Sequence, residues 1–382
     1  MRMAWWGLAV AVALCAAPAW AQELEQATWG KRSRQAECPP CPELQPVPVP
    51  PGTPPAVPPS AQTPSDALVP EAFAQAGEGG TMPAEGYFAP FFGDLIGYSG
   101  TRVVRDAHGN TTLVRVPIPA RSGMKITENE SPRPMNRVFY TYNFYSDVNG
   151  SLNPGMGFGF SRHMLGFEKT FFGGDASFGM RLPFVSLSGP QGLLDSVFGD
   201  MTVIVKYAFI NNRQTGDVFS GGLAVTVPTG DGIVLDLPNA NGVIDGTVQE
   251  HFHPTVLQPW LGFIRFMTPR LYAQGFSSIA VPTDSRDVTI LWNDLAFGYT
   301  IYRNPTDKFI QGIVPTVELH VNTPLNHRGA RSIPLGFSDE VNMTCGCYMF
   351  LPRATLGGAV GFPMVGPRPF GVEAIGSFTF RF

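Results

Sequence analysis

Several things are scarce in this 382-residue chain, and each scarcity excludes a class. Charged residues are only 15%, against 44% hydrophobic and 12% aromatic, which does not fit a long disordered protein. No internal run of about 18 apolar residues occurs, so membrane-crossing helices are excluded. The formal net charge is −4, with no basic patch, so nucleic acid is not a partner. Five cysteines and six histidines are scattered without any usual metal spacing, and no metal or other cofactor is expected. Neither G-x-S-x-G nor H-E-x-x-H is present. Ser161 and His163 share a face of a predicted strand, but no orienting partner follows at a sensible place. No catalytic residue is assigned, and the chain is read as not an enzyme.

What is present is alternation. Phe370, Val372, Ala374, Gly376, Phe378, Phe380 and Phe382 fall on one side of the C-terminal stretch, with Gly371, Glu373, Ile375, Ser377, Thr379 and Arg381 between them. Period two writes a strand with one apolar and one wet face. Phenylalanines facing outward up to the last residue suit a strand that meets lipid; the soluble alternative is a sandwich edge strand.

The chain reads in four parts. Residues 1–21 form a secretory signal, with Arg2 as the positive region, Ala4 to Cys15 as the apolar core and Ala19-Trp20-Ala21 as the cleavage site. Residues 22–85 are a proline-rich, disordered periplasmic arm; proline favours extended polyproline II and makes a semi-stiff spacer. Within it, Cys38-Pro39-Pro40-Cys41 lacks the context of a redox or haem motif, so Cys38 and Cys41 are disulfide candidates. Residues 86–135 form a periplasmic cap or an inserted plug, with a hairpin of 101–105 and 111–116 around Gly109. Residues 136–382 form an all-β, transmembrane, antiparallel barrel of about 12 strands.

The predicted strands are 136–146, 158–171, 175–186, 200–211, 216–228, 255–266, 269–281, 290–303, 308–322, 341–350, 354–363 and 370–382. Each is close to the about 9–11 residues that a tilted membrane strand needs. Short connections at 173–174, 211–216, 268–269, 304–307 and 351–353 alternate with mostly longer ones at 147–157, 187–199, 229–254, 282–289, 323–340 and 364–369. Membrane barrels keep short turns on the periplasmic side and long loops outside. That alternation places the barrel in the outer membrane with its N-terminal arm in the periplasm, and the lipid bilayer is its first partner.

Period two also sorts the faces. Ala176, Phe178, Met180, Leu182 and Phe184 form an apolar row, as do Met201, Val203, Val205, Tyr207 and Phe209, and Ile313, Pro315, Val317, Leu319 and Val321. A lysine or arginine on the lipid face costs about 2–4 kcal/mol at mid-depth. Arg162, Glu168, Arg181, Lys206, Glu318, His320, Glu373 and Arg381 are therefore lumen candidates. Two readings fit them: a polar pore lining, or a ladder of buried ion pairs that fills a narrow barrel. Trp260, Phe263, Phe266 and Phe297 blur the alternation of their strands, as an apolar part of the lumen or as interface girdle residues. Cys345 and Cys347 lie at i, i+2 on one face and are read as disulfide candidates, either as loop cysteines or as a strained pair. The 236–245 stretch carries Asn239, Asn241 and Gly242 like a calcium loop, but it has Leu237 at the first position and no glutamate at the twelfth; it is read as a long extracellular loop.

Two groups of residues carry a family resemblance. One is Lys125-Ile126-Thr127-Glu128-Asn129-Glu130-Ser131-Pro132-Arg133-Pro134, then Asn136-Arg137-Val138-Phe139 and Tyr142-Asn143-Phe144-Tyr145. The other is Phe198-Gly199-Asp200-Met201-Thr202 with Lys206-Tyr207, and Gly366-Pro367-Arg368-Pro369-Phe370 with the terminal Phe382. Together they resemble the outer-membrane β-barrels of planctomycete-type envelopes and, more loosely, the MetA-pathway phenol-degradation family of outer-membrane transporters. The resemblance spans about residues 120–382 and its motifs are structural. It implies assembly by the barrel-assembly machinery through the strand ending at Phe382, although the glycine of the terminal signal stands one place early, at Gly376. The expected function is a channel or transporter for a small, hydrophobic or aromatic solute. The alternative is a structural envelope barrel whose arm anchors the membrane to a periplasmic partner. A lumen filled with paired charges would favour the anchor.

Overall fold

The computed structural model describes residues 87–94, 99–105, 111–117, 125–148, 150, 157–188, 194–231, 233–238, 244–250, 254–328, 339–366 and 368–382. The signal, the proline-rich arm, Cys38 and Cys41 lie outside the described residues. Twelve long strands follow in order: β1 Arg137–Val148, β2 Phe158–Phe171, β3 Ala176–Ser188, β4 Met201–Asn211, β5 Val218–Val227, β6 Val256–Phe266, β7 Leu271–Pro282, β8 Ile290–Tyr299, β9 Gly312–Pro324, β10 Glu340–Phe350, β11 Ala354–Val365 and β12 Glu373–Arg381. Each pairs antiparallel with its sequence neighbours, and β12 pairs back onto β1 with Glu373 opposite Tyr145 and Arg381 opposite Arg137. Closure removes both sheet edges and satisfies every ladder internally, which is what a strand protein in lipid requires.

The period-two pattern becomes two surfaces. Along β6 the burial alternates residue by residue: Val256, Gln258, Trp260 and Ile264 point in, and Leu257, Leu261 and Phe263 are exposed. All three apolar rows read from the sequence face outward. Val205, Phe209, Leu261, Leu319, Phe378 and Phe380 are each at least 40% exposed. An exterior this apolar is stable only against hydrocarbon, while the buried face carries the charges. This is a membrane-spanning barrel of the outer-membrane kind.

The connections alternate in length except between β8 and β9, where the expected short turn at 304–307 is a longer connection, residues 300–311. The segment expected as strand up to residue 303 stops at Tyr299. Between it and β9 the chain makes a side-chain-held turn: the Asp307 carboxylate accepts from Phe309 N at 2.8 Å and the Thr306 hydroxyl donates to Asn304 at 2.9 Å. Within it, Tyr302–Arg303 pairs back onto Ile313 and Gly312. The 229–254 loop contains a hairpin, Ile233–Pro238 against Ile244–Glu250; residues 239–243, with the calcium-like asparagines, lie outside the described residues. Leu194–Phe198, expected as loop, extends the β3 ladder. Phe370 belongs to neither face of β12, because that strand begins at Glu373. It is buried with Tyr145, Val148, Phe158, Phe160, Val185 and Leu187 in an apolar cluster at the long-loop end. Before the barrel, Ser99–Arg105 pairs with Thr111–Pro117.

Candidate functional site

The lumen is filled by the chain's own N-terminal side. Residues 87–94 and 125–134 lie in it and every one of them is buried. Asn129, in the left-handed region at φ 46°, turns the second piece, a conformation asparagine tolerates better than most residues. The turn is closed by Glu128 N to Lys125 O and Glu130 N to Thr127 O, both 3.3 Å. Phe91 N donates to Glu130 O at 2.8 Å and joins the two pieces into one plug. Gly93 adopts φ 83° there, and a Cβ on it would stand 2.9 Å from Glu128 Cα, so only glycine lets the pieces meet.

Charge fixes the plug at two poles. At the first, the wall is basic and the plug acidic. Glu130 Oε1 takes Arg137 Nη2 and Lys206 Nζ at 2.7 Å each, and its Oε2 takes Arg181 Nη2 at 3.0 Å. Arg162 Nη1 holds Glu128 at 2.9 Å. The same arginines cap the turn's carbonyls: Arg181 donates to Lys125 O and Ile126 O at 2.8 Å, and Arg137 to Asn129 O at 2.7 Å. Glu168 returns one negative charge to the wall, 2.8 Å from Arg137 and 2.9 Å from Lys206. At the second pole, Lys125 Nζ sits between Asp94 of the plug at 2.5 Å and Asp294 of β8 at 2.6 Å. His320 Nδ1 lies 2.8 Å from Asp294. Asp94, Asp294 and His320 together have the geometry of a cation site, and the Lys125 ammonium lies between its two carboxylates. The Glu318 carboxylate accepts Phe92 N at 2.8 Å and Gly93 N at 3.0 Å.

Two plug carboxyls, both off the staves, feel this field. Burial by itself pushes the Glu130 carboxyl up; Lys206, Arg137 and Arg181 more than reverse it and hold it at about 2. Asp94 is likewise pushed up by burial and drawn down to about 2 by His320 and Lys125.

Between the poles the wall is aromatic. Phe91 and Ile126 pack with Ile204, Ala224, Trp260, Phe276 and Ala296. Phe92 stacks on Tyr348 with centroids 4.1 Å apart at 17°, and Tyr87 meets Phe350 at 5.0 Å. Trp260 therefore points into the lumen, while Phe263 and Phe297 point out, 38% and 45% exposed. Beside Glu130, Arg181 and Lys206 lies a cavity of about 10 Å³, the size of a single water.

Of the eight residues expected to point inward, Glu168, Arg181 and Lys206 meet around Glu130, and Arg162 stands by Glu128. Glu318 and His320 approach to 3.4 Å. Glu373 accepts from Asn143 Nδ2 at 2.8 Å. Arg381 is half-buried at the short-turn rim, where it donates to Leu351 O at 2.9 Å and lies over the Phe350 ring. The sequence pattern missed Arg137, Asp294 and all the plug partners. One signal was available for the latter: Lys125, Glu128, Glu130 and Arg133 crowd four charges into ten residues just before the first stave.

Of the two disulfide candidates on β10, Cys345 is disulfide-bonded and Cys347 is not. Both lie on the outward face of that strand, not in a loop. They do not form a strained pair, since Cys347 is a free thiol. Residues two apart on a strand stand roughly 6.6 Å apart with parallel Cβ bonds, the wrong orientation for a mutual bridge. Ser161 and His163 also face outward and pair with tyrosines: His163 Nδ1 is 2.6 Å from the Tyr140 hydroxyl, and Ser161 Oγ is 3.4 Å from that of Tyr142.

No protein-family model matches the chain, and no curated protein matches it. Solved structures similar to it include an outer membrane channel from Pseudomonas putida F1, with 12% identity over 65% of this chain and 96% of that one and a TM-score of 0.44. Another is the β domain of the Bordetella autotransporter BrkA, with 12% identity over 65% and 99% and a TM-score of 0.45. A third is the KdgM porin, with 10% identity over 64% and 99% and a TM-score of 0.38. The barrel assignment rests on the strand pairing and the two faces described above.

Proposed function

We propose that the protein is an outer-membrane channel closed by its own N-terminal segment, and that displacing the plug opens a path for a small, hydrophobic or aromatic solute. The observation that carries this reading is how the lumen is filled. The wall side chains do not close it on one another; a separate stretch of chain does, tied down largely by charges and hydrogen bonds. Buried ion pairs add little net stability compared with apolar packing of the same volume, so a permanent filler would gain by being apolar. A charged plug is one that ions or a solute can compete away. The aromatic sector around Trp260 and Phe276 supports an aromatic or apolar solute. The resemblance to planctomycete-type barrels and phenol-pathway transporters agrees with this reading.

The filled lumen itself favours a second reading, a structural barrel that never opens and whose arm ties the membrane to a periplasmic partner. Single-channel recording separates the two. The refolded full-length protein is expected to show rare openings in a planar bilayer, and the Lys125→Ala/Glu130→Ala variant steady conductance. Silence in both, with heat-modifiable gel mobility showing a folded barrel, would overturn the channel reading and leave the structural one.

A further inference from the structure

We propose that the basic face of the lumen is a carboxylate-binding site occupied, in this conformation, by the chain's own Glu130, and that the transported solute is a small organic acid with an apolar body that competes with Glu130. This rests on the channel reading and names its substrate class.

The site is built by the wall. Arg137 comes from β1, Arg181 from β3 and Lys206 from β4, each no more than 3% exposed. They converge on both oxygens of one carboxylate at 2.7–3.0 Å. Two guanidinium forks and an ammonium around one carboxylate give strong charge-assisted binding. The wall supplies one opposing group there, Glu168, so with Glu130 withdrawn the site keeps a positive excess. Glu130 also accepts from Ser131 N at 3.1 Å, a local contact that leaves with it. Arg181 borders the residual cavity, and its Nε has no hydrogen-bond partner among the described residues.

The apolar half of the assignment comes from Ile204. It lines the same cavity as Arg181 and Lys206, and it also belongs to the cluster of Trp260, Phe276 and Ala296 that receives the plug's Phe91 and Ile126. A carboxylate at the basic site is thus one residue from an aromatic wall. The plug fills both halves, with Glu130 in one and Ile126 with Phe91 in the other, and so prefigures the ligand.

Full-length wild type and Glu130→Gln, which keeps the side-chain shape, are recorded in planar bilayers with benzoate, benzyl alcohol or inorganic phosphate added. Glu130→Gln is expected to raise the open fraction about tenfold or more, the equivalent of one charged hydrogen bond, and to pass anions in preference to cations by its reversal potential. Benzoate is expected to open the wild type where benzyl alcohol does not, and Arg181→Met to remove that response. A silent but folded Glu130→Gln would overturn the channel reading and this assignment together. A conducting Glu130→Gln that prefers cations and ignores benzoate would overturn the carboxylate site and leave the channel standing. Phosphate acting as strongly as benzoate would overturn the apolar half.

Discussion

Arg137→Met is expected to destabilise the barrel by about 3–5 kcal/mol, the usual cost of removing one partner from a buried ion network. Arg137 is fully buried. Its Nε donates to Glu168 Oε2 at 2.8 Å, Nη2 to Glu130 at 2.7 Å and Nη1 to Asn129 O at 2.7 Å. The guanidinium also lies 4.7 Å from the Phe139 ring centroid. Methionine keeps most of the side-chain volume, so cavity formation adds little. The loss is electrostatic: Glu130 and Glu168 stay buried with only Lys206 between them and Arg181 on one side. Urea titration of the refolded protein, followed by tryptophan fluorescence, reads the change. The double variant Arg137→Met/Glu168→Gln is expected to lose less than the sum of its single changes, because the second substitution removes a charge the first left stranded. A cost under about 1 kcal/mol, the range of an exposed pair, would show that water reaches this network.

Lys125→Met is expected to release the plug while the barrel stays folded. Its ammonium lies between Asp94 and Asp294 and also donates to Asn322 Oδ1 at 3.0 Å. Without it the two carboxylates face each other across a buried gap, with His320 beside both and the Asn322 and Asn342 amides donating to Asp94. The plug bears this penalty, since the twelve staves are held by their own ladders and the plug is not. Local opening of this kind is read by hydrogen exchange. The amides of Phe91, Phe92 and Gly93, bonded to Glu130 O and the Glu318 carboxylate, are expected to exchange about two to three powers of ten faster. Stave amides are expected to keep their rates. Equal acceleration everywhere would mean that plug and barrel unfold as one unit, and no acceleration would mean that Lys125 does not hold the latch.

The barrel was legible because lipid and lumen impose opposite demands on alternate residues. Phe178 against Ser177 and Leu319 against Glu318 declare the two faces without any knowledge of partners, and twelve such segments with alternating loop lengths leave few other folds. The plug was less legible, since 125–134 has no period: its residues are chosen for what they meet across the lumen, and a contact such as Asp94 to Asn342 spans 248 positions. Arg137 was hidden for a related reason. It shares its inward face with Phe139 and Tyr145, so hydrophobicity does not say which side of β1 is wet. Phe370 misled in the opposite sense, because its alternation with Val372 continues past the true start of β12 at Glu373.

Closure of the barrel by the chain's own segment can be read by cross-linking across the lumen. Phe92 of the plug stacks on Tyr348 of β10 with ring centroids 4.1 Å apart, away from the charged contacts. With the native cysteines replaced by alanine, Phe92→Cys/Tyr348→Cys is treated in the membrane with a short bifunctional thiol reagent. An intramolecular cross-link that alters gel mobility is expected in the double variant and in neither single one. A folded barrel with both cysteines reactive and no cross-link would contradict that closure.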